Sequence, residues 1–186
     1  MNENGLLAVS PIDGRYKSKT EILKGYFSEY ALIRYRVKVE IEYLRALYEA
    51  GLPELQHLTE SDIQSLKFIL STFNEQDGQK IKAIEKITNH DVKAVEYFIK
   101  EKIKNIGLSS ITEFVHFGLT SQDINNTAFP LMMKDAMIDV LIPELEKILI
   151  KLESKAEEWK NIPLLARTHG QPASPTTLGK EIYVFV

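Results

Sequence analysis

The stretch QDINNTAFPLMMKDAMIDVLIPELEKILIKLESKAEEWK, residues 122–160, places an apolar side chain at every seventh position: Leu131, Ile138, Leu145, Leu152 and Trp159. Ile142, Leu149 and Ala156 fill a second seam beside the first. This is the spacing of long helices that pack side by side in bundles or coiled coils. One helix over Gln122 to Lys160 would run about 57 Å at 1.5 Å per residue. Pro130 and Pro143 should kink or loosen it, since each removes one backbone hydrogen bond. A helix of this length outruns a small domain and needs other long helices beside it, from further along the chain or from other subunits.

Upstream, the helical period recurs. Ser28 is placed to cap a helix to Ala50 that carries Ile33, Val37, Ile41, Leu44 and Tyr48 on one face, with Gly51 and Pro53 ending it. Thr59-Glu60-Ser61-Asp62 resembles a capping box with Asp in place of Glu, and opens a helix with Ile63, Leu66, Leu70 and Phe73 on one side. A polar loop over 74–78 leads to a helix carrying Ile81, Ile84 and Ile87, and Asp91 is expected to cap the next, with Val92, Val95, Phe98, Ile99 and Ile103 inward. A short helix is expected from Lys19 to Tyr26. No stretch alternates with period two, so the fold class is all-α. Gly107-Leu108-Ser109 suggests a boundary: a small helical N-terminal domain over 1–110, then the first long helices of a central bundle over 111–186. Ser174-Pro175 reads as a helix start with Ser at N-cap and Pro at N1. That helix runs into Ile182-Tyr183-Val184-Phe185-Val186 without a cap, which reads as a truncated chain and an incomplete bundle.

Composition narrows the function classes. The chain is 44% apolar and 26% charged, with a net charge of −3 and no cysteine. Scattered Lys and Arg argue against a nucleic-acid surface, and thiolate or disulfide chemistry is excluded. The start, Met1-Asn2-Glu3-Asn4-Gly5, lacks the basic and apolar runs of a signal peptide, and no apolar run approaches the ~20 residues that span a bilayer. A cytoplasmic protein with no membrane partner is the expectation.

Four polar stretches interrupt the helices. In Arg167-Thr168-His169-Gly170-Gln171-Pro172-Ala173, His169 is a side chain that exchanges a proton near neutral pH. Gly170 permits close backbone approach, Pro172 stiffens the turn, and Gln171 adds an amide; a loop His that only bonds locally fits the same residues. Arg15-Tyr16, after the turn Ser10-Pro11-Ile12-Asp13-Gly14, suits a phosphate or carboxylate, and equally a surface ion pair. Asn89 and His90 would sit just outside a helix N-terminus, where anions are favoured, or serve as plain capping residues. His116 lies in an apolar run, Phe114 to Leu119, as a bonded core residue or a ligand. Thr120-Ser121-Gln122-Asp123 forms a second cap that also exposes N–H groups and two hydroxyls to a carboxylate.

Taken in order, Asn89-His90-Asp91-Val92-Lys93-Ala94-Val95-Glu96-Tyr97, then the run from His116 to Asn126, then Arg167 to Ala173 resemble the adenylosuccinate lyase family in its bacterial form. Ser10 to Tyr16 resembles the start of the same family, and the Thr-Ser-x-Asp segment is shared across the fumarase/aspartase superfamily. The resemblance spans nearly the whole chain. It implies a β-elimination of fumarate from adenylosuccinate, giving AMP, and from the succinylated aminoimidazole-carboxamide ribonucleotide of purine biosynthesis. It implies no metal and no organic cofactor, a nucleotide substrate, and a homotetramer. His169 would be the general acid. Arg15, Tyr16, Asn89, His90 and Asp91 would bind the nucleotide, Thr120 and Ser121 the succinyl carboxylate, with Gln171 and His116 close by.

One departure stands out. Members of the family are longer, and the serine-rich mobile loop that carries their catalytic base is absent here, as are later nucleotide-binding arginines. The expectation is an N-terminal portion, inactive alone. Two other readings stay open: a sibling fumarase or argininosuccinate-lyase type of enzyme, and a helical oligomerisation module.

Overall fold

The computed structural model describes residues 7–186; the Met1–Gly5 stretch lies outside them. In chain order the elements are α1 (Lys17–Thr20), α2 (Lys24–Phe27), α3 (Glu29–Glu49), α4 (Glu60–Ser71), α5 (Glu75–Thr88), α6 (Asp91–Asn105), α7 (Ser121–Ala136), α8 (Ile142–Glu158), β1 (Pro163–Thr168), β2 (Gln171–Thr177) and α9 (Leu178–Tyr183). Short 3-10 turns cover Glu21–Leu23, Pro53–Leu55 and Ser109–Phe114, and a π turn covers Met137–Leu141. The chain forms two compact units, divided between Asp135 and Ala136.

In the first unit α3 is the central element. Ile33, Val37, Ile41 and Leu44 pack against Leu66 and Ile69 of α4, Ile81 of α5, and Val95, Phe98, Ile99 and Ile103 of α6. A different side of α3, through Tyr35 and Val39, packs with Val92 and with Ile124, Ala128 and Met132 of α7. A helix apolar on two sides is one that is enclosed by neighbours. Between the two stripes, one turn apart, lie Arg36 and Glu40, 4% and 1% exposed.

Local signals explain most helix ends. Ser28 Oγ accepts from Ala31 N at 3.1 Å, and Thr59 and Asp62 complete a reciprocal capping box. The segment expected as a polar loop at 74–78 is instead a cap and first turn. Asn74 Oδ1 accepts from Gln76 N and Asp77 N, and Asp77 answers the Asn74 N–H, so α5 begins at Glu75. Asn74 is thus the cap of α5, one of the residue types that favour this position.

The second unit begins with the π turn. Ile142 N donates to Met137 O, five residues back, immediately before Pro143. Proline has no N–H for the carbonyl four residues earlier and its ring crowds that carbonyl, so the ladder slips by one residue to let it in. Pro130 is accommodated inside α7. Of the expected seam, Ile138 in the π turn and Ile142, Leu145 and Leu149 of α8 are exposed, Leu145 at 56%, while Leu152 and Trp159 are half-buried and Ala156 is buried.

After α8 the expectation of helix fails. β1 and β2 pair antiparallel, Thr168 opposite Gln171 and Pro163 opposite Thr177, with a slip between Leu165 and Arg167. His169 (φ 50°) and Gly170 (φ 76°) form the two-residue turn, and positive φ at both positions is the hairpin turn whose twist matches that of the strands. Ser174-Pro175 is thus mid-strand rather than a helix start, and Thr177 caps α9, its Oγ1 accepting from Lys180 N at 3.3 Å. Among the described residues this hairpin is the one departure from an all-α fold.

α9 lies close on α8. A Cβ on Gly179 would stand 2.2 Å from Ala156 O and 2.6 Å from Lys160 N, so the contact admits hydrogen alone. Gly179→Ala should therefore separate α9 from α8 and destabilise the second unit by about 1–3 kcal/mol. Trp159 is the sole tryptophan and its carbonyl accepts from Gly179 N, so urea unfolding followed by its fluorescence reads the effect directly; an unshifted midpoint would refute the close-approach account.

Candidate active site

Asn89, His90, Asp91 and Ser121, of the residues expected from the sequence, come together where α6 and α7 begin. Asn89 closes α5 in the left-handed conformation, φ 52°, turning the chain so that His90, not Asp91, caps α6. His90 Nδ1 accepts from Lys93 N at 3.1 Å. A ring nitrogen that accepts must be unprotonated, so in the capped state the ring hydrogen sits on Nε2, 3.3 Å from Ser121 Oγ at the start of α7. Asp91 occupies the first helical position. Its Oδ1 accepts from Val92 N at 2.8 Å and its Oδ2 meets Arg36 Nη2 at 2.7 Å. Arg36 Nε in turn donates to Asn125 Oδ1 at 2.9 Å. Burial pushes the Asp91 carboxyl up, but the Val92 N–H and the Arg36 guanidinium outweigh it and hold it below the usual aspartate range. At Thr120 the N–H and hydroxyl both donate to Asp123 Oδ2, at 2.7 and 3.1 Å, and these bonds hold Asp123 below its ordinary value. Ser121, rather than Thr120, is the hydroxyl that reaches His90.

His116 is also left-handed, φ 62°. Its Nδ1 is 2.6 Å from Oε1 of buried Glu40. Burial pushes the Glu40 carboxyl up, and the bond to His116 offsets this only in part. Nearby on α6, Glu96 is gripped by Lys93 Nζ at 2.7 Å and Lys100 Nζ at 3.1 Å. Burial pushes Glu96 up, yet the two ammonium groups outweigh it and hold it below the usual range.

His169 and Gln171 belong to the second unit, His169 at the hairpin turn and Gln171 beside it, both exposed. Arg15 and Tyr16 lie in the turn before α1, the guanidinium 5.5 Å from the Tyr16 ring centre. No hydrogen bond or ion pair among the described residues joins them to the His90 cluster. Arg36, Glu40 and Asn125 were not singled out from the sequence. Charged residues on a helix read as its solvated face; the signal that could find these is the second apolar stripe of α3, through Tyr35 and Val39. Among the described residues no three His, Asp or Glu side chains are grouped to hold a metal ion, and no helix is long and apolar enough to cross a membrane. Two helix starts, the Ser121 hydroxyl and the His90 ring bring together groups suited to carboxylate or phosphate oxygens, while the Thr120 hydroxyl is taken up by Asp123.

Known proteins bear on this arrangement. The family model described as lyase matches residues 14–186. The chain is 57% identical to an adenylosuccinate lyase of Dictyostelium discoideum, covering 98% of this chain and 40% of that protein. It is 50% identical to the adenylosuccinate lyase of Vibrio cholerae and 46% to that of Escherichia coli K12, again over 98% of the chain and 40% of the relative. It thus spans about two fifths of the length of these relatives. Among solved structures, a fumarate lyase from Mesorhizobium sp. BNC1 superposes with a TM-score of 0.68 at 21% identity, over 89% of this chain and 36% of that one. The 3-carboxy-cis,cis-muconate lactonizing enzyme of Pseudomonas putida gives 0.63 at 22%, over 87% and 35%. At such identities the structures speak for the fold.

The buried guanidinium is the part of this site most open to test. Arg36→Gln should cost about 2 kcal/mol at neutral pH, less than the 3–5 of a wholly buried pair because Asp91 is partly in water. Asp91 is held down in the folded chain, so the pair stabilises above the ordinary aspartate value of about 4 and is lost as pH falls through the lower folded one. The penalty of Arg36→Gln should therefore shrink on acidification. Urea melts by circular dichroism at neutral and acid pH check this; a penalty that grows in acid would contradict the assignment.

Proposed function

The chain belongs to the lyase family, and from that membership we propose that it is the N-terminal part of an adenylosuccinate lyase, cleaving adenylosuccinate to AMP and fumarate and acting likewise on the succinylated aminoimidazole-carboxamide ribonucleotide. The observation that carries the reading is the junction of His90, Asp91 and Ser121 at two adjoining helix starts, in a chain 57% identical to a relative of that activity. The reaction is a β-elimination. A base takes a proton from the succinyl carbon, the freed pair forms the double bond of fumarate, and the C–N bond breaks as the departing nitrogen gains a proton. His169 suits the last step, since a group that titrates near ambient pH is the efficient acid. Ser121 and Thr120, with the helix start behind them, suit the succinyl carboxylate, and charge building up on it is stabilised by donors already in place. Arg15, Tyr16, Asn89, His90 and Asp91 are assigned to the nucleotide, with Gln171 and His116 as neighbours. Neither metal nor organic cofactor enters this scheme.

The base, a serine on a later loop in this reading, lies outside the chain, so the chain alone should not turn over. Residues 1–110 would form the N-terminal domain, and 111–186 would open a helical bundle shared in a cytoplasmic homotetramer. The exposed seam of α8 supports such packing. It equally suits a helical oligomerisation module, a second reading that gives His169 no task.

Two substitutions separate these readings. In the complete enzyme, His169→Gln should lower kcat by about 10²-fold or more in a fumarate-release assay, whereas a pure assembly module would keep both its assembly and its rate. His90→Asn, which retains a good helix cap, should leave the melting curve within about 0.5 kcal/mol of wild type while raising KM; an unchanged KM would remove His90 from the binding site.

A further inference from the structure

We propose that Glu40 is a positioning residue for His116: the buried carboxyl shares a proton with Nδ1, which fixes the ring and leaves its second hydrogen on Nε2 as a donor. The donor would face an anionic group of the substrate, a use that rests on the lyase reading, whereas the grip itself does not.

Three observations converge. Glu40 is 1% exposed in the middle of α3, where an ionised carboxylate is costly unless paired. Oε1 meets His116 Nδ1 at 2.6 Å, while Oε2 is buried with no hydrogen-bond partner among the described residues. The carboxylate therefore depends on His116, chiefly on its ring and secondarily on its backbone N–H. His116 in turn reaches it from a left-handed backbone, φ 62°, a strained conformation that persists where the surroundings fix it, and the bond to Glu40 is such a fixing contact. Its Nε2 has no partner among the described residues, and its side chain keeps 15% exposure, so the far edge of the ring is the part left to meet a ligand.

Proton bookkeeping gives the consequence. With one proton shared, the pair is either imidazolium with carboxylate, or neutral imidazole accepting at Nδ1 from the carboxylic acid. In both forms the remaining ring hydrogen is on Nε2. Only loss of the shared proton would turn Nε2 into an acceptor, and that loss would leave a buried negative charge with a second, unsatisfied oxygen. The surrounding charges are set. From α6, Glu96 opposes a further negative charge, and Lys93, bound to Glu96, favours it. From the start of α7, Asp123 faces His116, and on α3 itself Arg36 is turned to Asp91 and Asn125. The raised Glu40 carboxyl agrees with a shared proton that is hard to remove.

The test is ¹H–¹⁵N spectroscopy of the chain with ¹⁵N-labelled histidine at neutral pH, and it does not depend on catalysis. Expected for His116 are a bonded hydrogen at Nε2 and, at low temperature, a far-downfield proton from the short Nδ1–Oε1 contact. Glu40→Gln should abolish that downfield signal. Should this variant not fold, His116→Asn, which tolerates the left-handed backbone, assigns the same signal by its loss. A wild-type Nε2 without hydrogen, or a downfield signal that persists in either folded variant, overturns the proposal.

Discussion

Two ionisable side chains buried one turn apart on α3 constrain everything around them. Removing a charge from water costs several kcal/mol even after relaxation, and the cost is recovered only by well-placed partners. Arg36 requires Asp91 and Asn125; Glu40 requires His116. These partners lie at the start of α6, in the first turns of α7, and in the loop between them. The apolar stripes on either side of Arg36 and Glu40 close the core, and would do so with many registers of the surrounding loops. The two charges admit few. Loops that must meet a guanidinium and a carboxylate at fixed heights along one helix cannot slide, and these are the loops that hold His90, Asp91, His116 and Ser121.

That constraint also explains how far the sequence could be read. Periodicity and caps were legible because they are local: the α3 stripe, the Ser28 cap, the Thr59–Asp62 box and the long seam through Leu131 and Leu145 each depend on residues within a few positions. Arg36 and Glu40 were not legible, because a charge on a helix signals water unless its distant partner is known. The exchange of roles between His90 and Asp91 turns on a ring nitrogen accepting a backbone N–H, a task usually given to an oxygen. The hairpin left no periodic mark, because both its faces are largely exposed and β2 carries Pro172 and Pro175, which depress any strand signal.

Backbone strain picks out the same places independently. Among the described residues the non-glycine positions with positive φ are Asn89, His116 and His169. Each falls in a different one of the motifs that the family resemblance rests on. A left-handed residue with a Cβ costs of order 1 kcal/mol or more and persists only where the surroundings fix it. For Asn89 the fixing agent is the abrupt passage from α5 to α6, and for His116 it is Glu40. In both, the strain is held by groups buried or bonded within the first unit.

His169 differs, and the difference bears on how the proposed chemistry would be organised. Its left-handed backbone belongs to a two-stranded hairpin that is exposed along most of its length, and a lone hairpin is marginal in water. Within its unit the strand ladder, the bond from Leu178 N to Ile162 O at 2.9 Å and the Thr176–Glu181 contact at 3.0 Å hold the base of the hairpin, away from the turn. An acid catalyst must be held far more tightly than that, since a displacement of an ångström costs about 10²-fold in rate. A hairpin tip acquires such precision by being packed against something, and the exposed seam of α8 is the surface along which packing would come. In the proposed enzyme the first unit is preorganised by its own buried charges, while the proton donor is fixed only on assembly. Binding and proton delivery would then be made ready by two different means, burial of charge in one case and association of helices in the other.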